Sequence, residues 1–424
     1  MSKVTILCPY CFTPFDRSEV QMQCVNKTEK QEMTEQGTYK RVPSCESVYD
    51  EKYNNHWGTQ TKIKRVFNAN LTFRERHGWK LIQAKNCPYC GIESQRFVCP
   101  HCHNWLPAQM IEKGSEIISV VGGPASGKSN YIVALIHQLM RYQNKLGLDV
   151  TLQQVGRNEE EMTSNMYKAA KKTIFEKKEA LKKTQVTKNP IPWIIRMESR
   201  NTGKTAYLVF YDTAGESFRD AEKMERDALY FRYSRAVIVA FDTLAIPKIK
   251  KVLEKKGIDN YTEAYDYTEM WNTIKAFSQG HDSYKLKERP YAFVFTKFDA
   301  VIDNCDDLNM AVDVFLDDDG NFKNSQYITD TDGRVSKEEL KEVSDTIESY
   351  LKDTDSWDEE AFATSIKQEW GDNGQFFGVS ALGGMCDSAM EIQTKDDGEV
   401  KPIRVLDPLV WILIKLGDFG IKCK

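Results

Sequence analysis

The glycine-rich segment at residues 117–129, which reads IISVVGGPASGKS, constrains the fold more than any other part of the chain. An apolar run leads into a loop with the pattern G-x-x-x-x-G-K-[ST], formed by Gly122, Gly127, Lys128 and Ser129, and a helix start follows. Such a loop can wrap phosphate groups with backbone N–H groups, because glycine leaves room for their close approach. The segment therefore predicts a strand, a phosphate-binding loop and a helix in direct succession.

Apolar runs alternate with amphipathic stretches beyond this loop. The predicted strands are Glu116–Val121, Trp193–Met197, Tyr207–Tyr211, Ala236–Phe241, Tyr291–Phe295 and Phe376–Val379. Buried strands separated by helices indicate an α/β fold with a mainly parallel sheet. Turn residues at 201–204 predict an antiparallel hairpin between the second and third strands. Apolar residues at helical spacing predict an inserted helix within residues 158–183.

The third predicted strand ends in Asp212-Thr-Ala-Gly215. A carboxylate at the end of a hydrophobic strand can hold a water bound to Mg²⁺, and Gly215 can offer its N–H to a terminal phosphate. Lys128 would reach the β- and γ-phosphates, and Ser129 would be a ligand of Mg²⁺. Together the two motifs predict a bound nucleoside triphosphate with Mg²⁺.

The fifth predicted strand ends in Thr296-Lys297-Phe-Asp299. Asp299 can accept hydrogen bonds from the N1–H and 2-amino groups of guanine, which adenine lacks there, and a buried acceptor left unpaired costs about 1–3 kcal/mol. The aliphatic stem of Lys297 would lie over the base. The sixth strand leads into Ser380-Ala381, where the N–H of Ala381 would meet guanine O6. These residues favour GTP and GDP over adenine nucleotides.

With the motifs GGPASGKS, DTAG, TKFD and SA in this order, the chain resembles the Ras-like, translation-factor-related class of P-loop GTPases over residues 114–424. The resemblance implies a doubly wound α/β fold, GTP or GDP and Mg²⁺ as ligands, and segments that switch with the nucleotide. N-terminal CxxC pairs joined to such a domain also resemble the double-GTPase families of bacterial conflict and antiphage systems. The implied nucleotide-binding residues are Gly122, Gly123, Ala125, Ser126, Gly127, Lys128, Ser129, Asn130, Asp212, Gly215, Thr296, Lys297, Asp299, Ser380, Ala381 and Leu382.

Candidate catalytic residues for GTP hydrolysis are Lys128, Thr184 and Glu216. A threonine that binds Mg²⁺ and the γ-phosphate should precede the second strand; Thr184 and Thr187 both qualify, and Thr184 is favoured. Glu216 stands where Ras-like proteins place the glutamine that orients the attacking water. The alternative to hydrolysis is a pseudo-GTPase scaffold that holds nucleotide and recruits partners through its cysteine module. Arginines that could supply a finger in cis, or form a solvated helix face, are Arg219, Arg226, Arg232 and Arg235.

Eight of the 11 cysteines lie before residue 103, and six of these eight form CxxC knuckles. Without an export signal, this pattern favours metal thiolates in a reducing compartment over disulfides. The knuckles Cys87–Cys90 and Cys99–Cys102 predict one closed four-sulfur zinc site, and Cys8–Cys11 with Cys24 and Cys45 a second. Alternatively, Cys8 and Cys11 join Cys87 and Cys90, and Cys99 and Cys102 recruit other ligands.

Basic and aromatic residues accompany these cysteines, namely Lys62, Lys64, Arg65, Phe67, Arg74, Arg76, His77, Trp79 and Lys80. Such residues can contact nucleic acid by phosphate pairing and base stacking. A protein-docking or solvated surface is the favoured interpretation. The expected partners are therefore guanine nucleotide and another protein, either an effector or a second GTPase.

Length and charge set the remaining limits. A chain of 424 residues predicts two or three domains, and a net charge of -4 provides no bulk attraction to nucleic acid or anionic lipid. The apolar run Leu406–Leu416 contains charges and is shorter than the roughly 20 residues that span a bilayer, so it predicts a buried helix in a cytoplasmic protein. The expected domains are a zinc-binding domain at 1–112 and a GTPase domain at 113–424, with insertions at about 243–289 and 300–374.

Overall fold

The computed structural model describes residues 5–26, 32–33, 39–40, 45–122, 126–154, 156–157, 160–182, 191–211, 233–257, 288–353, 357–387, 389–394 and 398–424. The chain divides into two compact units. The N-terminal unit takes in Met1–Glu116, Gln153–Thr163 and Lys188–Ile194, and the sheet unit takes in Ile117–Leu152, Ser164–Thr187 and Ile195–Lys424.

The main sheet is built from buried strands. They are β1 Ile117–Gly122, β2 Leu148–Leu152, β3 Pro192–Ser199, β4 Thr205–Tyr211, β5 Ala236–Asp242, β6 Tyr291–Thr296 and β7 Gly374–Gly378. Their order is β2-β3-β4-β1-β5-β6-β7. β1 pairs in parallel with β4 and β5, and the parallel pairing continues through β6 to β7. The predicted α/β fold with a mainly parallel sheet is confirmed.

β3 and β4 are neighbours in this sheet and are joined by a tight turn. The N–H of Gly203 donates to the carbonyl oxygen of Ser199 at 2.8 Å, and the N–H of Ser199 donates to the carbonyl oxygen of Lys204 at 2.8 Å. A link this short reverses the chain, because a parallel pair needs a long crossover. The predicted hairpin is therefore confirmed.

β2 is a strand that the sequence patterns did not predict. It pairs antiparallel with β3 from Leu148 to Leu152 and directly follows Gly147, whose left-handed φ of 66° ends the preceding helix. Only Leu148 is fully buried in this strand, and the other positions alternate between partly buried and exposed. A strand at the edge of a sheet needs no continuous apolar run, so its pattern is weak.

The long helices of the described chain are α1 Lys128–Leu146, α2 Thr163–Lys171, α3 Pro247–Lys255, α4 Lys337–Lys352, α5 Trp357–Trp370 and α6 Asp407–Leu416. α2 continues as one π-helical turn, Lys172–Glu176, and confirms the predicted inserted helix. Shorter helices are Asp299–Ile302, Cys305–Leu308 and Gln326–Thr329. α6 is buried from Asp407 to Leu413, as predicted. Among the described residues, no helix combines the length and apolar character that crossing a bilayer requires.

The N-terminal unit is built from much shorter elements. Its three-stranded sheet places Gln21–Gln23 between Val66–Asn68 and Arg96–Val98. Two-stranded pairs are Thr5–Leu7 with Pro14–Asp16, Glu32–Met33 with Tyr39–Lys40, Ser47–Tyr49 with Lys62–Lys64, and Lys85–Asn86 with Glu93–Ser94. The helices are Glu51–Trp57, Phe73–Arg76 and Ala108–Lys113.

Candidate functional site

The glycine-rich loop connects β1 to α1 and depends on two glycines. A Cβ on Gly122 would lie 2.7 Å from Ser126 Oγ and 2.9 Å from the carbonyl oxygen of Ala240 in β5, so only glycine fits between the strand and the loop. Gly127 has a left-handed φ of 66° and precedes the first residue of α1. The N–H of Tyr131 donates to the carbonyl oxygen of Gly127 at 2.9 Å and closes the first helical turn. The predicted strand and helix are in place on either side of the loop, of which the structure describes Gly122, Ser126 and Gly127.

Lys128 and Ser129 are the first two residues of α1, and Lys128 is 6% exposed. The first N–H groups of a helix lack intrahelical acceptors and carry a partial positive charge, which favours anions such as phosphate. Asn130 was predicted to contact the nucleotide, but its Oδ1 accepts a hydrogen bond from the N–H of Leu181 at 3.0 Å. Its side chain thus holds the segment that precedes the candidate threonine Thr184.

Thr296 brings the predicted base loop onto the glycine-rich loop. Its hydroxyl oxygen lies 2.6 Å from the carbonyl oxygen of Ser126 and 2.9 Å from that of Phe241. A Cβ on Gly127 would lie 3.6 Å from Thr296 Oγ1 and 3.7 Å from Lys297 Cε. The TKFD motif and the GGPASGKS motif therefore meet at the carboxyl ends of β6 and β1, the two parallel strands on either side of β5, where open α/β sheets bind ligands.

Lys297 is held by a residue that sequence reasoning missed. Its Nζ lies 2.7 Å from Asp242 Oδ2, and Asp242 is the last residue of β5. The hydroxyl of Thr243, the next residue, donates to the carbonyl oxygen of Thr296. Lys297 itself has a left-handed φ of 56°. The position of Asp242 at a strand end was the available signal, because β5 and β6 lie side by side.

Asp299 begins the short helix after β6 and is 5% exposed. Cys386 lies within electrostatic range of it: burial raises the pKa of the Cys386 thiol to about 11, the charge of Asp299 adds to this rise, and that of Lys297 opposes it. Cys386 was not predicted to belong to this site. A buried carboxylate beside a protonated thiol and a lysine stem forms a polar corner suited to hydrogen-bonding a ligand with N–H groups.

The segment after β7 contains the predicted base-binding residues Ser380, Ala381 and Leu382. Ser380 exchanges two backbone hydrogen bonds with Ile403, at 3.1 and 2.8 Å, and its Oγ accepts the N–H of Gly383 at 2.9 Å. Ser380 is therefore engaged in holding the loop. The backbone N–H of Ala381 has no hydrogen-bond acceptor within the part of the chain that the structure describes. Leu382 follows and is half-buried.

Several predicted site residues lie outside the described residues: Gly123, Ala125, Thr184, Thr187, Asp212, Gly215, Glu216, Arg219, Arg226 and Arg232. Of the arginines considered for a finger, the described one is Arg235. Its Nη2 lies 3.2 Å from Asp418 Oδ2. The Mg²⁺-binding and water-orienting roles assigned to these residues stay predictions.

The eight N-terminal cysteines form two groups of four whose sulfur atoms all lie within 4.8 Å of one another. The outer cluster is Cys8, Cys11, Cys99 and Cys102, and the inner cluster is Cys24, Cys45, Cys87 and Cys90. Both predicted pairings are wrong, because the Cys87–Cys90 and Cys99–Cys102 knuckles belong to different clusters and Cys8–Cys11 joins the latter. The strand Arg96–Val98 lies between these two knuckles in the chain and leads the second knuckle away from the first.

The sulfur geometry fits zinc. Sulfur atoms lie 3.7 Å apart in Cys8 and Cys102, 3.8 Å in Cys11 and Cys99, and 3.5 Å in Cys24 and Cys90. A tetrahedron with zinc–sulfur bonds of about 2.3 Å has edges of about 3.8 Å, whereas a disulfide bond is about 2 Å. Backbone N–H groups point at the sulfurs, as from His101 to Cys99 at 3.4 Å. Such N–H groups stabilise thiolates, so each cluster is compatible with a closed structural zinc site.

Comparison with known proteins supports the nucleotide-binding interpretation. Residues 119–229 match the family model described as Double-GTPase 1. A putative ESX-1 scaffolding and assembly protein, SaeC of Mycolicibacterium smegmatis, is 25% identical over 334 residues, which cover 76% of this chain and 80% of that protein. The family match supports a GTPase-like domain related to the double-GTPase families, placed where the sheet and the glycine-rich loop are found.

Proposed function

We propose that this protein binds GTP with Mg²⁺, hydrolyses it, and acts as a nucleotide switch. The observation that carries the proposal is the contact between the two loops: Thr296 and Lys297 lie against Ser126 and Gly127. Phosphate-binding and base-binding groups on adjoining loops can hold the two ends of one nucleotide.

The phosphate end is assigned to α1 and its loop. The N–H groups at the start of α1 and the ammonium of Lys128 would neutralise phosphate charge. Ser129 and Asp212 would hold Mg²⁺, which bridges phosphate oxygens and offsets the charge that develops on them during transfer. Thr184 would complete this shell in the triphosphate state, and Glu216 would orient the attacking water.

The base end is assigned to Asp299, Lys297 and Ala381. The carboxylate of Asp299 would accept the N1–H and 2-amino groups of guanine, and the N–H of Ala381 would donate to O6. The stem of Lys297, held by Asp242, would cover one face of the base. Adenine presents the opposite pattern at both edges, so it would leave this donor and this acceptor unpaired.

Base choice provides the test. Wild-type protein should bind GTP at least about fivefold more tightly than ATP, since one mismatched buried group costs about 1–3 kcal/mol. Asp299→Asn should lose affinity for GTP and gain affinity for xanthosine triphosphate, whose C2 carbonyl can accept from the new amide. The exposed Asp345→Asn, on α4, serves as the matched control. Equal binding of ATP and GTP by the wild type would refute the base assignment.

A scaffold without turnover is the second candidate. It is favoured by the similarity to SaeC, a putative ESX-1 scaffolding and assembly protein that aligns with 76% of this chain. In that case nucleotide would order the sheet unit, and the N-terminal unit would recruit protein partners. Single-turnover hydrolysis of GTP, measured with Lys128→Ala as the inactive reference, distinguishes the two. A role in bacterial conflict or antiphage defence remains a prediction from the family resemblance.

Zinc is assigned a structural role in both candidates. Each cluster already offers four sulfurs, so a bound zinc has no open position for water or substrate. Elemental analysis should find two zinc ions per chain, one for each cluster. A single zinc ion per chain would contradict the assignment of a zinc site to one of the two clusters.

A further inference from the structure

A short segment of the N-terminal unit exposes three aromatic rings that contact one another. The ring centroids of Phe73 and His77 lie 4.1 Å apart, those of Phe73 and Trp79 5.5 Å, and those of His77 and Trp79 5.8 Å. Phe73 is 63% exposed and Trp79 is 56% exposed. We call these three residues the aromatic patch. Large rings gathered at a protein surface mark an interaction site.

The backbone beneath the aromatic patch is held firmly. The buried guanidinium of Arg17 donates to the carbonyl oxygens of Glu75 at 2.8 Å and Lys80 at 3.2 Å. The carboxylate of Glu75 accepts the N–H groups of Thr72 and Gln83 and pairs with Lys85 at 3.0 Å. The rings are thus presented on a fixed frame, which lowers the entropic cost of binding a partner.

The charges of the chain segment that carries the patch are almost all positive. Between residues 62 and 85 the cations are Lys62, Lys64, Arg65, Arg74, Arg76, Lys80 and Lys85, and the one acidic residue is Glu75. Glu75 is buried and already paired with Lys85. Arg74 and Lys80 are exposed and form no ion pair with any residue that the structure describes. This local charge is opposite in sign to the net charge of -4 of the whole chain.

We propose that the aromatic patch and the cations beside it, Arg74, Arg76 and Lys80, bind single-stranded nucleic acid. Unpaired bases stack on exposed aromatic rings, and the phosphates that link them pair with flanking cations. A duplex is a poorer ligand, because its bases already stack on one another. An acidic protein segment would satisfy the cations but would leave the exposed surfaces of Phe73 and Trp79 uncovered. The proposal does not depend on GTP hydrolysis.

The proposal is tested with the full-length, zinc-loaded protein and labelled oligouridylate and oligothymidylate of about 20 nucleotides, by fluorescence anisotropy. Trp79→Ala and Phe73→Ala should each weaken binding at least about fivefold, the factor that corresponds to ~1 kcal/mol for one lost stack. Arg74→Ala combined with Lys80→Ala should lower the slope of log affinity against log salt by about 0.7 for each lost phosphate contact. Tyr233→Ala, an exposed ring of the sheet unit, should leave binding unchanged.

Zinc content and circular dichroism of each variant show whether the N-terminal unit is intact. Undetectable binding of single strands by intact wild type at about 50 mM salt would overturn the proposal. So would equal affinity of wild type, Trp79→Ala and Phe73→Ala, or tighter binding of a duplex than of a single strand. Polyglutamate that binds as tightly as oligouridylate would also overturn it and would assign the surface to an acidic protein.

Discussion

The N-terminal unit and the sheet unit differ in the features that can stabilise them. The paired strands of the zinc-ligand region are two or three residues long, such as Gln21–Gln23, whereas β5 of the sheet unit runs for seven residues. In the sheet unit β1 and β6 are buried at every position. Short strands bury little apolar surface, and a small fold with little core needs cross-links or metal to offset chain entropy. We propose that the two four-cysteine clusters fill that role in the N-terminal unit by binding zinc.

The two clusters are nested along the chain. The outer cluster joins residues near 8 to residues near 100, and the inner cluster lies entirely between them in sequence. Closing a long loop removes more entropy from the unfolded chain than closing a short one. With zinc bound, the outer cluster would join the two ends of the unit, and the inner cluster would cross-link the residues between them. In contrast, the sheet unit is fixed by long strands whose contacts are spread over many residues.

The largest expected effect comes from a zinc ligand. Cys99→Ser should release the outer zinc and unfold much of the N-terminal unit, because structural zinc contributes on the order of 10 kcal/mol of folding free energy. Hydrogen exchange should then rise in residues 5–26 and 45–113, while β1, β5 and β6 stay protected. Cys305→Ser, outside both clusters, is the matched control. A Cys99→Ser protein that keeps two zinc ions would contradict the cluster assignment.

The sheet unit has its own sensitive point at Arg404. This guanidinium is fully buried and lies 2.9 Å from Asp407 and 2.7 Å from Glu339. Arg404→Met leaves two buried carboxylates without their cation, so the free energy of unfolding should fall by about 3–5 kcal/mol. Urea unfolding followed by tryptophan fluorescence measures the change.

Arg334 offers the control for this experiment. Its pair with Asp332, at 3.9 Å, is more than half exposed on both sides, and such a pair contributes about 0–1 kcal/mol. Arg334→Met should therefore be nearly neutral. If both substitutions shifted the urea midpoint equally, the buried ion network would have no special part in stabilising the sheet unit.

A smaller effect is expected at the candidate base site. Asp242→Asn removes the charge that holds Lys297 but keeps an oxygen that can accept the N–H of Leu244. Because a third of the Lys297 side chain is exposed, solvent screens the pair, and GTP affinity should fall only roughly fivefold, equal to ~1 kcal/mol. Asp307→Asn, in an exposed pair with Lys256, should leave affinity unchanged. Titration with a fluorescent GTP analogue measures both. An unchanged affinity in Asp242→Asn would remove Asp242 from the site.

The sequence predicted the parts of the fold whose pattern is local. β1, β5 and β6 are continuous apolar runs, because parallel strands are covered on both faces. β2 was missed, since an edge strand with one fully buried residue has no such run. The hairpin between β3 and β4 was predictable because the turn residues are contiguous in the chain.

The pairing of the cysteines shows where local patterns fail. Spacing identifies Cys87–Cys90 and Cys99–Cys102 as knuckles, but which knuckles share an ion depends on the path of the chain between them. In the candidate nucleotide site, Lys128 and Asp299 were named from motifs. Asp242 and Cys386 were missed, because their roles follow from neighbouring strands and loops and not from their own sequence context.

The last prediction concerns the response of the sheet unit to acid. Burial lowers the pKa of His137 to about 4, and the charges of Lys171 and Arg141 add to this. The unfolded chain takes up the proton near pH 6.5, so the stability that neutral His137 contributes is present above about pH 6.5 and is lost as the pH falls toward about 4. The Nδ1 atom of His137, on α1, lies 3.3 Å from the hydroxyl oxygen of Tyr167, and the ring centroids of His137 and Phe175 are 4.1 Å apart.

His137→Phe should therefore flatten the pH dependence of urea unfolding between about pH 7 and 5. Acid also releases zinc by protonating thiolates, but wild type and variant share that loss, so the difference between them isolates the sheet unit. Identical pH profiles for the two proteins would show that α1 and α2 do not sense this proton.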